Sequence, residues 1–227
     1  YSTLSLLSNI GVNVGDGITN FQDLSFNVYM PTEKAGTFSL FGFGGLSDQS
    51  FKAQEDSAKW EYPSDRERGK YISNTGMIGL KHQYIFNENH YLQNIIAASG
   101  TSISYVEDRL DDNLKFEQRY KETFAQNKIT FNSVWNWKLN ARHSIRTGAY
   151  FNHIQFGLYK KYLDEDLNAW VKPLDTDAGM FTIQAFSQWK YRINEQWQLL
   201  SGVHYLGVID NSKMSIEPRA TLKYSTS

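Results

Sequence analysis

The 227-residue chain has no cysteine and only 4 prolines, its formal net charge is -1, and no apolar run approaches the ~18 residues of a membrane helix. Each shortage excludes something. Without cysteine there are no disulfides, thiolate metal sites or cysteine nucleophiles, which suits an exported chain. Balanced charge, with Lys plus Arg at 23 and Asp plus Glu at 24, offers no field for nucleic acid, so no nucleic-acid partner is expected. The missing apolar run excludes a helical membrane protein. The mean hydropathy of -0.51 says nothing against a membrane barrel, where only alternate residues meet lipid.

What is abundant is aromatic: 14 Tyr, 14 Phe and 6 Trp. They fall into a period of two. "DLSFNVYM" sets Leu24, Phe26, Val28 and Met30 against Asp23, Ser25, Asn27 and Tyr29. "IGLKHQYIF" sets Ile78, Leu80, His82, Tyr84 and Phe86 against Gly79, Lys81, Gln83 and Ile85. In "KITFNSVWNWKL", Ile129, Phe131, Trp135, Trp137 and Leu139 alternate with Lys128, Thr130, Asn132, Val134, Asn136 and Lys138, a nearly polar set. Further on, Ile183, Ala185, Trp189, Tyr191 and Ile193 alternate with Gln184, Gln188, Lys190 and Arg192. Helical periodicity is confined to a turn in "DQSFKAQEDSAKWEY". The chain reads as all-β.

The connections alternate between short and long. "TEKAG", "NEN", "NAR" and "NEQ" are tight turns, whereas the links within 48–74, 107–118 and 164–179 are long and polar. Short turns at one end and long loops at the other are the habit of a membrane barrel. The reading is an antiparallel transmembrane β-barrel segment of about ten strands, with short periplasmic turns and long extracellular loops. It spans 1–227 as a mid-barrel segment of something larger.

"NFQDLSFNVYMPTEKAGTFSLFGFGGLS" (20–47) and "SIEPRATLKYS" (215–225) resemble the barrel portion of TonB-dependent outer-membrane receptors, of the type with a carboxypeptidase-regulatory-like N-terminal domain. The resemblance implies a barrel of about 22 strands in the outer membrane of a gram-negative bacterium. It also implies an internal plug domain, energy from the TonB complex, and import of a nutrient such as a glycan, peptide or metal chelate. It admits a surface lipoprotein partner. Neither a plug nor an energy-coupling motif is legible in the chain, so both are expected elsewhere in the receptor. No catalysis and no cofactor are expected.

Site residues follow from the alternation. Asp23, Asn27, Lys81, Gln83, Asn132, Asn136, Gln188, Lys190, Glu217 and Arg219 are expected to face the lumen, because Lys or Arg at the lipid midplane costs about 2–4 kcal/mol. Glu217 and Arg219, same-face neighbours flanking Pro218, are expected to bond into the lumen network or to a plug. Tyr84, Phe86, Trp135, Trp137, Trp189, Tyr191 and Trp197, close to the tight turns, are expected to form a periplasmic aromatic girdle. Trp60, Tyr62, Arg66, Arg68 and Tyr71 share the longest loop and could stack on sugars or hold acidic groups, or simply pack on one another.

Other clusters carry less. His82, His90, His143, His153 and His204 show no metal-ligand spacing. The acid runs "YVEDRLDDN" and "YLDEDLN" lack the pattern of a calcium loop. "FGFGG" lacks the lysine and helix of a phosphate loop, so its glycines are expected to relieve crowding beneath large rings. Two alternatives remain: a complete small outer-membrane barrel or porin, which would pair 4–14 with 214–224, and a secreted glycan-binding β-sandwich, which would bury Trp135, Trp137, Trp189 and Trp197 in a dry core.

Overall fold

The computed structural model describes residues 19–226. Nine strands form one antiparallel sheet in simple sequence order: β1 (Thr19–Pro31), β2 (Thr37–Phe51), β3 (Glu67–Asn87), β4 (His90–Leu110), β5 (Phe116–Lys138), β6 (His143–Asp164), β7 (Ala169–Arg192), β8 (Trp197–Val208) and β9 (Lys213–Tyr224). The only helical pieces among the described residues are short 3-10 turns at Ser57–Lys59, Pro63–Arg66 and Ile209–Asn211. The first falls within the stretch where sequence suggested a helical turn. Residues 4–14, which a closed small barrel would pair with 214–224, lie outside the described residues.

Register carries the alternation across the whole sheet. Phe26 faces Gly42, Gly42 faces Ile78, Ile78 faces Ala98, Ala98 faces Ile129, Ile129 faces His153 and His153 faces Phe181. Side chains in register share a face, so the apolar sets of separate strands merge into one surface. That surface is open: Leu24 is 70%, Ile129 54%, Phe131 42% and Phe181 48% exposed. Nothing among the described residues covers it, whereas a soluble sheet buries such a face against a second layer. Trp135 at 43%, Trp137 at 39%, Trp189 at 38% and Trp197 at 37% exposure are likewise outside any dry core, which disposes of the sandwich alternative.

The opposite face is the crowded one. Val134 and Asn152, both on it, are buried, whereas Leu110, buried at the far end of β4, lies on the outer face beyond the apolar band. Asn152 is satisfied across the ladder: its Oδ1 accepts from Thr130 Oγ1 at 2.9 Å and its Nδ2 donates to Thr182 Oγ1 at 3.1 Å. Side chains converge on the concave side of a curved sheet, so this face is the inner one.

Of the "FGFGG" glycines only Gly42 relieves crowding, since a Cβ on Gly44 or Gly45 would meet only ordinary contacts; Gly79 on β3 plays the same part as Gly42. A Cβ on Gly42 would come within 2.7 Å of the Phe26 ring, and on Gly79 within 2.5 Å of the Phe41 ring. Each ring thus lies over a bare backbone on the neighbouring strand, on opposite faces of the sheet.

β3 to β7 contain 21, 21, 23, 22 and 24 residues, about twice the ~9–11 that cross hydrocarbon. The links around 107–118 and 164–179 are therefore mostly strand, closed by turns at 111–115 and 165–168. Among the described residues only 52–66 is a long loop. The ladder tolerates this extension because it needs backbone partners, not lipid.

Candidate functional site: an inner polar face, an aromatic belt and a basic rim

The four hairpin turns at one end share a device. Asn140 Oδ1 accepts from the backbone N–H of Arg142 and of His143, each at 2.9 Å. Asn194 Oδ1 accepts from Gln196 N at 3.0 Å and Trp197 N at 2.7 Å. Asn87 Oδ1 accepts from Asn89 N at 2.8 Å. The first turn uses Thr32 instead, with Gly36 supplying φ 82. An Asn side chain here stands in for a backbone turn acceptor.

These turns hold the aromatic residues at one rim. Tyr84, Phe86, Trp135, Trp137, Trp189, Tyr191 and Trp197 all fall on the exposed apolar face by register. Two histidines stitch them together, and sequence reading did not find this. His90 stacks on Trp135 at 6.5 Å and on Trp137 at 5.9 Å between centroids. His143 stacks on Tyr191 at 4.5 Å and on Trp189 at 5.6 Å, and accepts a hydrogen bond from Trp189 Nε1 at 3.2 Å. His82 joins at its side, stacked on Phe38 at 4.6 Å and donating to the Ala35 carbonyl at 2.8 Å. His90 and His143 each begin a strand, which was the available signal, whereas His82 lies within β3.

On the inner face, register places Lys81 in a row with Asn132 and Gln184, Gln83 with Glu217, and Asn136 with Gln188 and Arg219. Asp23 and Asn27 share that face through Gly45 and Phe41. Lys190 lies opposite Ser144, itself opposite Lys138. Glu217 Oε2 accepts from Arg219 at 2.5 Å and lies 3.7 Å from His204, while Pro218 occupies the other face.

At the short-turn rim this face becomes basic. Lys138, Arg142, Arg146, Lys190 and Arg192 line a cavity of about 460 Å3 with Glu88 as its carboxylate. None of the five lies within ion-pair distance of an acid among the described residues. Their positions alternate with apolar ones on separate strands, so only the register reveals the cluster.

At the opposite end the arginines are paired instead. Arg109 bonds Glu67 at 2.7 Å and also Glu165, tying β3 and β4 to the β6–β7 turn. Arg66 donates to the Leu110 carbonyl at 2.8 Å and to Asp112 at 3.0 Å. In the 52–66 loop, Asp65 accepts from the N–H of Tyr62 at 2.9 Å and of Glu61 at 2.7 Å, which holds its carboxyl below the ordinary range.

The five loop candidates do not form one site. Trp60 and Arg66 meet, with the guanidinium 4.8 Å from the ring centroid, and Trp60 Nε1 donates to the Gln54 carbonyl at 2.5 Å. Tyr62 is exposed. Arg68 sits on the outer face, paired with Asp108 at 2.9 Å and over the Phe116 ring, while Tyr71 points to the inner face. Among the described residues, no cluster of three His, Asp or Glu could hold a metal ion.

No family model and no curated protein sequence matches the chain. Among solved structures, the sheet matches the copper transporter OprC with a TM-score of 0.59, at 9% identity over 83% of this chain and 30% of that one. The sheet is a stretch of transmembrane β-barrel wall. The outer-membrane transporter YddB from Escherichia coli aligns over 91% of this chain and 36% of its own, at 10% identity and a TM-score of 0.42. That looser likeness adds nothing to the argument. The chain spans 30% of the length of OprC.

Proposed function

We propose that this stretch of barrel wall belongs to an outer-membrane active importer of the TonB-dependent type, with a plug domain seated against the inner face. The short-turn rim faces the periplasm, and the strand extensions and the 52–66 loop rise outside the cell. The observation that carries the reading is the exposed apolar face, continuous from β1 to β9 and bounded at the turn end by an aromatic belt. Rings with a polar edge settle where hydrocarbon gives way to headgroups. The basic rim cavity supports the plug, since acidic groups of an inserted domain would neutralise five crowded cations.

The chain contains no cysteine of its own, so single cysteines can report each face in the intact receptor in liposomes. Phe131→Cys and Ile183→Cys should react with a membrane-soluble maleimide and resist a charged one. Asn132→Cys and Gln184→Cys should show the reverse preference once the plug is removed. Equal reactivity of the two sets with the charged reagent would defeat the membrane reading. Loss of uptake on collapsing the inner-membrane potential tests the energy source separately, and undiminished uptake would leave a passive pore.

A further inference from the structure

On the outer face, beyond the apolar band and away from the turns, the ladder does something costly. Lys121 stands directly opposite Lys161, and Lys70 lies in the same row, separated from Lys121 by Val106. Like charges directly opposed across a ladder destabilise it. Nothing in the described residues answers them: none of the three lysines lies within ion-pair distance of a carboxylate. Asp175, on the same face opposite Tyr159, stays outside that distance, and Asp108 is already taken by Arg68.

Rings or aliphatic groups border each of these cations, although Lys52, Glu55, Arg68 and Asp108 also line the groove beside Lys70. The Lys161 ammonium sits 4.2 Å from the Trp170 ring centroid and that of Lys121 5.8 Å from Tyr159. Lys70 borders a groove of about 570 Å3 whose outer-face lining includes Ile72, Val106 and Phe116. An apolar floor beside a cationic row matches an amphiphile with an anionic head. A soluble anion would have no use for the floor.

We propose that Lys70, Lys121 and Lys161 form a binding site for the phosphate-bearing headgroup of a membrane lipid, whose acyl chains run down the groove onto the apolar band. The occupant is a lipid because the row stands on the same face of the same strands as the lipid-facing Ile78 and Ile129, eight positions along β3 and β5 from them, with Ile72 and Ala125 between. Phosphate oxygens accept charge-assisted hydrogen bonds from ammonium groups and remove the repulsion between Lys121 and Lys161. The inference rests on the reading of the apolar face as lipid-facing, which the cysteine labelling tests by itself.

The test uses the intact receptor, delipidated, in a neutral detergent and again in the presence of lipid A, a phosphorylated glycolipid, or its dephosphorylated form. In neutral detergent, Lys161→Gln should raise the melting temperature or leave it unchanged, since it removes a like-charge pair. With lipid A the same variant should melt below wild type, and the lipid retained after washing should fall several-fold. Lys161→Arg should restore retention, and Lys190→Gln, on the inner face, should not alter it. The proposal is overturned if Lys161→Gln shifts melting in the same direction in both conditions, if dephosphorylated lipid A is retained equally, or if inorganic phosphate alone reproduces the stabilisation. Labelling that places Phe131 and Ile183 in water would instead remove the premise.

Discussion

A single amide oxygen closes each of two hairpins at the turn end. Asn140 and Asn194 each satisfy two backbone donors, so Asn140→Ala or Asn194→Ala leaves both to water and should cost about 1 kcal/mol, the usual loss for a side-chain cap. A lowered melting temperature in detergent, largely restored by Asn→Asp, would be the expected result. Asp65 makes a pH prediction. Its carboxyl is held below the ordinary value chiefly by the Tyr62 N–H and then by Glu61. A depressed folded value means the loop's stabilisation is complete above the unfolded value and lost as pH falls through the folded one. The 52–66 loop of wild type should therefore stay ordered through mild acid and loosen only below the normal carboxylate range. Asp65→Ala, which removes the acceptor, should be loose, by backbone hydrogen exchange, at neutral pH as well.

At the scale of strands, β5 condenses the argument. Ile129 and Phe131 point outward and Thr130 and Asn132 inward. Phe131→Lys should then cost about 2–4 kcal/mol in lipid vesicles, near the midplane, and Asn132→Lys almost nothing. Equilibrium unfolding from vesicles would separate the two, and equal costs would contradict the face assignment. This alternation is why the strands and the turn asparagines were legible in sequence. The strand extensions were not. In "YVEDRL" and "YLDED" charged residues fall on both faces, so the contrast between odd and even positions vanishes although the ladder continues. The basic rim and the histidine stacks were hidden for another reason: Lys138 and Lys190, or His90 and Trp137, become neighbours only through register between strands. The loop candidates misled because Arg66, Arg68 and Tyr71 are close in sequence yet sit in the loop, on the outer face and on the inner face respectively.

Across the whole molecule, the wall is taller than the membrane. Strands of 21 to 24 residues rise well past the ~25 Å apolar band, and their outer parts are laddered rather than loose. Trypsin applied to intact cells should therefore cut first in 52–66, at Lys59 or the less accessible Arg66, and leave the turns at 111–115 and 165–168 whole. Early cuts at Lys115 would mean that the extensions are not ordered. The strictly sequential strand order carries one more consequence, for assembly. Among the described residues every strand pairs only with its neighbours in the chain, so no distant segment must be found before one of these hairpins can close. The wall can grow one hairpin at a time, each nucleated by a turn, and the step that joins β2 to β3 across 52–66 is the one with the most chain to close. Shortening that link while sparing Asp65 and Arg66 should speed folding into vesicles, whereas lengthening a turn capped by asparagine should slow it.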